Sequence, residues 1–364
     1  MKKIIGSFII YSILLVAILY SYKFYQSSKR DSTFDPVANE QIEQPAIPHG
    51  TPWSVKSIDT QVISKHWNKV SQSSIQKQVS MLKELGFNYI AIATPYDNPD
   101  DMMMWATEIH TQGMNVWFRS HWNSWEGDNG KTATMTATEY VDKTHKFIIN
   151  NRYLFQPGDA FTLAVEPEQA GIGLGKKFKD WDVYKKFFVN QIGVSSDAFS
   201  KIGLKGQIHT NWLSTNAWIA ENILTEDEIQ KVGLITIDHF PNQTKIIGDR
   251  DDTNNLATAM INDLDRIHKR WSVPILLGEW GYQIYQEIDE STQAEAIGLV
   301  FETLKTKPYL VGINYWVHMG HNSKLINDTY GENLKYRSAA FIIQQIYRPE
   351  LTPTPTPKPI KLKK

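Results

Sequence analysis

Short apolar runs alternate with longer amphipathic stretches over most of this 364-residue chain. The runs have the length and composition of buried parallel strands, and the stretches between them carry apolar positions at helical spacing. The runs predict strands at Ser54–Ile58, Tyr89–Ala93, Asn115–Arg119, Phe161–Val165, Gly206–His209, Leu234–Ile237, Ile275–Gly278 and Val311–Tyr315. The stretches predict helices at Ser74–Leu85, Asp100–Gln112, Ala137–Ile149, Trp181–Ile202, Glu226–Lys231, Asn255–Trp271, Ser291–Lys305 and Ser338–Ile346.

Strand–helix units that follow one another in this way predict an α/β fold, a single (β/α)8 barrel of the TIM type. Glycines support the alternation, because L-G-F-N, Q-G-M-N, I-G-L-K and V-G-L-I each place a glycine between a helix and the next strand. An open, doubly wound sheet is the alternative. Its phosphate fingerprint is missing, since G-I-G-L-G-K-K at Gly171–Lys177 lacks the G-K-[ST] ending.

The ends of the chain differ from this middle part. Lys2 and Lys3 precede an apolar stretch at Ile4–Tyr20, with no small-x-small cleavage pattern after it. These features favour an uncleaved signal anchor at residues 1–30, with an N-terminal hydrophobic helix, over a cleaved signal that would leave a secreted protein. We expect a linker at 31–50, the barrel at 51–349 and a Pro/Thr-rich basic tail at 350–364. The prediction is a single-pass protein of the cell membrane with the barrel outside the cytoplasm.

Composition narrows the function classes. The 38 basic and 39 acidic residues give a net charge of -1, so no electrostatic footprint for nucleic acid is present. The absence of cysteine excludes disulfides, thiolate zinc sites and a cysteine nucleophile. The chain contains 12 Trp and 16 Tyr, and rigid aromatic faces of this kind suit sugar rings.

Two segments end a predicted strand on a carboxylate. They are F-T-L-A-V-E-P-E, with Glu166, and P-I-L-L-G-E-W-G, with Glu279. Barrel enzymes keep their chemistry at the carboxyl ends of the strands, and a pair of carboxylates is the equipment for splitting a glycosidic bond. Glu168 lies two residues beyond Glu166 and competes with it, but the position at the strand end and the E-P dipeptide favour Glu166.

The order of these motifs resembles the clan A glycoside hydrolases, the 4/7 superfamily of TIM-barrel glycosidases. E-P after strand four, G-E-W after strand seven and N-Y-W after strand eight carry the resemblance. It implies that Glu166 is the general acid/base, that Glu279 is the nucleophile and that Trp316 forms the floor beneath the sugar. The implied activity is retaining hydrolysis, or transglycosylation, of an extracellular β-linked poly- or oligosaccharide, with no cofactor and no metal.

One position departs from the family pattern. Val165 stands where the family has an Asn before the acid/base, so a hydrogen bond to the sugar 2-hydroxyl is missing. Asn211 and Asn314 are strand-end amides that are candidates to replace it. A barrel that binds carbohydrate without cleaving it is the alternative that this departure motivates.

Further polar and aromatic side chains follow other predicted strands. We expect Arg119 to keep Glu279 ionised by proximity, and the remainder to bind sugar hydroxyls or faces. The predicted substrate-binding residues are Arg119, His121, Trp122, Glu168, His209, Asn211, Trp212, His239, Trp280, Asn314 and Trp316. Trp53 and Trp125 are further candidate stacking platforms. A metal-dependent hydrolase that uses rim His and Asp residues is the other alternative, with H-M-G-H at 318–321 as a weak ligand pattern.

Overall fold

The structure of the protein is a computed structural model that describes residues 53–126, 134–167, 181–214, 224–232, 235–238, 250–283, 289–327 and 334–351. The predicted anchor and linker, residues 1–50, lie outside the described residues. Within the described ranges, no helix combines the length and the apolar character that crossing a bilayer requires. The anchor therefore stays a prediction from the sequence.

Eight parallel strands close into a barrel in sequence order, with β8 pairing with β1. The strands are β1 Val55–Asp59, β2 Tyr89–Ile92, β3 Asn115–Phe118, β4 Ala160–Val165, β5 His209–Ser214, β6 Ile235–Asp238, β7 Ile275–Trp280 and β8 Leu310–Tyr315. Closure depends on Gly312, because a Cβ there would lie 1.8 Å from the backbone oxygen of Val55. A small antiparallel pair, β9 Ile326–Asn327 and β10 Lys335–Tyr336, follows the barrel.

The described helices occupy the segments between and after the strands. They are α1 Gln61–Ser64, α2 Gln72–Glu84, α3 Pro99–Thr111, α4 Asn123–Glu126, α5 Ala137–Asn150, α6 Trp181–Lys201, α7 Glu226–Val232, α8 Arg250–Trp271, α9 Glu290–Leu304 and α10 Ser338–Tyr347. Local sequence sets several starts. Thr136 and Glu139 form a capping box before α5, and the Ser71 and Asp289 side chains cap α2 and α9.

The predicted (β/α)8 barrel is confirmed, and most predicted boundaries agree with the structure to within two residues. Two elements differ by more: α8 begins at Arg250, five residues before its predicted start, and β5 begins at His209, where the predicted strand ends. The apolar pattern of this strand is weak, because its sequence is H-T-N-W-L-S. Its position is set by pairing with the neighbouring strands of the barrel. The shift places His209 opposite Ala160, at the amino end of β4.

Two apolar layers meet at the barrel wall. The larger layer lies between the strands and the surrounding helices, with residues such as Ile58, Phe161 and Leu277. The smaller one groups Tyr89, Ala91, Trp117, Ala160 and Leu276, which point into the barrel. Polar side chains fill the rest of the barrel interior near the carboxyl ends of the strands, so the interior is packed and its polar groups face one end.

Candidate active site

The carboxyl ends of β4, β6 and β7 bring three carboxylates together. Glu166 directly follows β4, Asp238 is the last residue of β6, and Glu279 lies near the end of β7. Asp238 and Glu279 are register partners across the β6–β7 pair. One carboxylate oxygen of each residue lies within 4.8 Å of those of the other two. The two glutamates predicted from the sequence therefore share one site, with an aspartate as a third member.

Arg119 is the cation of this site. It follows β3, is buried, and forms ion pairs with Glu279 on one side and with Asp59, the last residue of β1, on the other. Asp59 is held in turn by the Gln61 amide at 2.6 Å and by the Asn314 side-chain amide at 3.2 Å. Burial opposes the charge of Arg119, but the carboxylates of Glu279 and Asp59 raise its pKa above the ordinary value. The guanidinium is a fixed positive charge.

Burial also disfavours the charged form of the acidic residues, and for them it is the dominant effect. It raises the pKa of Glu279 to about 8, although the neighbouring Arg119 guanidinium favours the ionised form. Burial and the nearby glutamates also raise the pKa of Asp238 well above its ordinary value. Arg119 does contact Glu279 as the sequence predicts, but its charge only partly offsets the effect of burial.

The backbone at Glu166 is strained. Its φ of 39° lies in the left-handed region, which residues other than glycine rarely adopt. The pairing of β4 with β5 is irregular just before this point, between Thr162 and Val165. Val165 itself is a buried apolar residue. Strained residues of this kind cluster at functional sites because the surrounding fold imposes the geometry.

The wall beside Glu279 explains the rest of the G-E-W-G motif. A Cβ on Gly281 would lie 1.7 Å from the backbone oxygen of Trp316, so only glycine allows the loop after β7 to pass against β8's end. Trp316 is half-buried, and its ring centroid lies 4.2 Å from that of His321. The predicted floor residue therefore follows β8, as expected, with a histidine against it.

The tryptophans proposed as stacking platforms are mostly core residues. Trp280 is fully buried against Phe301 and Tyr315, which leaves no face for a sugar. Trp122 is 7% exposed and packs on Tyr96 and Phe147. Trp53 and Trp125 are buried in similar aromatic groups. Large aromatic side chains favour burial between the barrel and the helices. The sequence pattern does not distinguish such buried tryptophans from tryptophans exposed at the rim.

Three of the predicted polar binding residues also lie away from the rim or have partners inside the barrel. His209 opens β5 and is exposed at the amino end of the strands, opposite the carboxylates. Asn211 is buried inside the barrel, where it accepts a hydrogen bond from the Thr162 hydroxyl at 2.8 Å. Asn314 is buried as well and supports Asp59. These two amides have internal roles in the structure.

His121 lies on the carboxyl-end rim, two residues after Arg119. It is buried, and its Nδ1 lies 3.1 Å from the Trp122 carbonyl oxygen. Glu168 and His239 lie outside the described residues, so their predicted roles stay predictions. The backbone of Trp212 lies in β5, but its side chain is outside the described part of the structure.

Asp59 is the site residue that the sequence interpretation missed. It ends the strand V-K-S-I-D on a carboxylate, which is the same signal that singled out Glu166 and Glu279. The residue is fully buried and holds Arg119. Applying the strand-end criterion to every predicted strand, rather than to the fourth and seventh, identifies it.

Within the described ranges, the trio of Glu166, Asp238 and Glu279 is the one group of acidic or histidine side chains close enough to surround a cation. It contains no histidine. His318, from the H-M-G-H pattern, is buried, and its Nε2 lies 2.8 Å from the Gln78 side-chain oxygen. A cation on the trio would occupy the two glutamates that the sequence predicts to be the catalytic pair.

No protein-family model matches the sequence, and no curated protein sequence is similar to it. Solved structures do resemble the fold. The β-D-glucuronidase of Dictyoglomus thermophilum superimposes with a TM-score of 0.55 at 13% identity, covering 81% of this chain and 50% of that one. The β-glucuronidase of Faecalibacterium prausnitzii gives 0.57 at 11% identity, covering 83% and 49%. The chain thus spans about half the length of these glucuronidases.

A third structure matches over most of both chains. It is the GH5_18 protein from Streptomyces cattleya, solved in complex with GlcNAc, with a TM-score of 0.60, 11% identity and coverage of 85% of this chain and 83% of that one. Likenesses at this identity show the fold. The (β/α)8 barrel is the fold that this chain shares with these solved glycosidase structures, and it is the fold that the resemblance in the sequence implied.

Proposed function

We propose that this protein is a retaining glycoside hydrolase that acts on a β-linked, extracytoplasmic poly- or oligosaccharide by double displacement. The observation that carries the proposal is the proximity of the carboxylates of Glu166 and Glu279, whose oxygens lie within 4.8 Å. Retaining enzymes hold their two carboxyl groups about 5–5.5 Å apart, whereas inverting enzymes leave about 6.5–9.5 Å for a water molecule. The fold of the solved neighbours supports the same class.

In the proposed reaction, the Glu279 carboxylate attacks the anomeric carbon while Glu166 gives its proton to the departing oxygen. A glycosyl ester of Glu279 forms, and Glu166 then removes a proton from the water that hydrolyses it. Glu279 must be ionised to attack. Since burial raises its pKa, Arg119 is the group that makes the carboxylate available.

Replacement of Glu279 by alanine tests the proposal. Turnover of an aryl β-glycoside should fall by roughly 10⁴-fold or more, because no group remains to form the ester. Azide should restore turnover and give the α-glycosyl azide, since a small anion fits the vacated face of the sugar. Product analysis by NMR distinguishes the anomers.

Glu108→Ala is the matched control, because Glu108 is also 8% exposed but lies on α3, outside the site. Its turnover should stay near that of the wild type. Normal turnover in Glu279→Ala contradicts the assignment. A panel of mannans, glucans, galactans and xylans identifies the natural substrate.

A carbohydrate-binding barrel without catalysis is the second candidate, and Val165 is the observation that favours it. Wild-type protein that binds oligosaccharides but cleaves neither them nor activated aryl glycosides supports this candidate. We further propose, from the sequence pattern alone, that residues 1–30 anchor the barrel to the cell membrane. A chain lacking these residues should partition into the soluble fraction, whereas the full chain should require detergent.

A further inference from the structure

The carboxylate of Asp238 stands out among the buried acidic groups of the described chain. The residue is 3% exposed, and neither of its oxygens has a hydrogen-bond partner among the described residues. A bare buried carboxylate is costly, and proteins avoid it by pairing or by protonation. Asp238 therefore needs either a cation or a proton.

In the described part of the chain, the cation near Asp238 is Arg119, and it is already engaged. Arg119 pairs with Asp59 and with Glu279, so a single positive charge faces two carboxylates before Asp238 is counted. β7 presents Glu279 to Asp238, and the turn after β4 presents Glu166. The other neighbour of β6 is β5, whose only titratable residue, His209, lies at the opposite end of the barrel.

We propose that Asp238 is a positioning residue of the reaction, which shares one proton with Glu166. The pair then holds, before the reaction begins, the proton that the leaving group needs. The inference rests on the proposed function for the role of Glu166. The proximity of the three carboxylates and the unpartnered oxygens of Asp238 carry it. Burial and the neighbouring carboxylates of Glu279 and Glu166 act in the same direction, since they raise the pKa of Asp238.

The charges of the site balance through the reaction. Before attack, an ionised Glu279 carries one negative charge and the Asp238–Glu166 pair, with its single proton, carries another. When the proton passes to the leaving oxygen, the pair gains a negative charge as Glu279 loses its own in the ester. Water attack reverses both changes, because its proton returns to the pair and the Glu279 carboxylate is released. The total charge of the three groups stays constant.

Asp238→Asn tests the proposal, with Thr236→Val as the matched control on the same strand. The amide keeps the shape of the side chain but removes the charge that retains the proton on the pair. The alkaline limb of the kcat/KM pH profile should therefore move to lower pH by about one unit. Glycans with poor leaving groups should lose more activity than activated aryl glycosides, which need less protonation.

Infrared spectroscopy supplies a readout that does not depend on turnover. At pH 7 the wild type should show one more protonated carboxyl band than Asp238→Asn, whereas Thr236→Val should match the wild type. If the two spectra show equal protonated carboxyl bands, or if the alkaline limb does not move in an active enzyme, the inference is overturned. Loss of wild-type activity on chelation, restored by a divalent cation, also overturns it, because the trio then holds a metal.

The infrared result separates this inference from the proposed function. A wild-type protein that cleaves no glycoside but loses a protonated carboxyl band in Asp238→Asn supports the shared proton and contradicts hydrolysis. Circular dichroism and thermal unfolding of both variants establish that they are folded. If Asp238→Asn fails to fold, Asp238→Glu provides the second test, since it keeps the titrating group and should retain the band.

Discussion

Each end of the barrel contains a buried aspartate, and the two aspartates differ in their hydrogen bonding. Asp159, just before β4 at the amino end, is fully buried and accepts hydrogen bonds from the amides of Val116 and Gln156, each at 2.8 Å. Its carboxylate also lies 2.9 Å from His110 Nε2. Asp238, at the carboxyl end, is almost as buried, but its oxygens have no partner among the described residues.

The difference separates stability from chemistry. Asp159 joins β3, β4 and α3 by filling its hydrogen-bonding capacity, so it has nothing left for a ligand. At the carboxyl end, strain at Glu166 and the incomplete pairing of Asp238 are tolerated because the rest of the barrel is well packed. Folds commonly violate local rules at functional sites and compensate for them elsewhere.

Among the tests of this difference between the two ends, replacement of Arg119 should have the largest effect. Arg119→Lys keeps the charge but lacks the fork that reaches Asp59 and Glu279 together, so kcat/KM should fall by roughly 10²-fold or more. Arg119→Met leaves two buried carboxylates uncompensated and should also lower the free energy of unfolding by about 3–5 kcal/mol. Steady-state kinetics and urea unfolding measure the two effects.

Arg152→Lys is the control for this substitution at the amino end. Arg152 is exposed and donates to the Ile202 carbonyl at 3.2 Å, so its replacement should change neither measurement by much. If Arg119→Lys retains wild-type kcat/KM, the guanidinium has no role in making Glu279 available.

The next effect is on stability alone. Asp159→Ala removes the acceptor for two buried backbone amides and should lower the free energy of unfolding by about 3 kcal/mol. Below the melting temperature, kcat/KM should not change, because the site lies at the other end of the strands. Urea unfolding followed by tryptophan fluorescence gives the free energy, and kinetics at low temperature give the activity.

Asp197→Ala is the matched control, since Asp197 is 52% exposed and pairs with His145 and Lys201 on the surface. Exposed pairs of this kind contribute about 0–1 kcal/mol. An Asp159→Ala variant that loses activity while remaining fully folded shows that the two ends are coupled, which contradicts the separation drawn above.

The sequence predicted the barrel because the signal is repeated along the chain. Each strand is a short apolar run, and each helix has one apolar face, so errors at one element did not change the count. The bounds of β5 were predicted wrongly because its sequence, H-T-N-W-L-S, contains no apolar run, and its Asn211 is satisfied inside the barrel by Thr162. Its register comes from neighbouring strands, which a local pattern does not contain.

The sequence predicts those site residues whose location depends only on their position at the end of a strand. Glu166 and Glu279 follow from strand order, and Arg119 from its place after β3. The roles of Trp280 and Asn314 depend on which way a side chain points and what it contacts, and those are long-range facts. Asp238 ends β6 on a carboxylate, but its lack of hydrogen-bond partners among the described residues becomes visible only when β6 is set beside β7.

The smallest expected effect concerns the pH dependence of stability. Burial raises the pKa of Glu279 to about 8 from an ordinary value of 4.5. Between these values the folded protein holds a proton that the unfolded chain has released. The contribution to the free energy of unfolding is therefore fully present below pH 4.5 and is lost as the pH rises through 8.

Glu279→Gln removes this dependence because the amide does not ionise. The unfolding free energy of the variant, relative to the wild type, should increase from pH 5 to pH 9 by on the order of 2 kcal/mol, because the wild type loses stability over this range and the variant does not. Thr236→Val, which removes no ionisable group, should show a difference that is constant with pH. A constant difference for Glu279→Gln as well means that Arg119 fully offsets the burial of Glu279, and the carboxyl end would then be as well satisfied as the amino end.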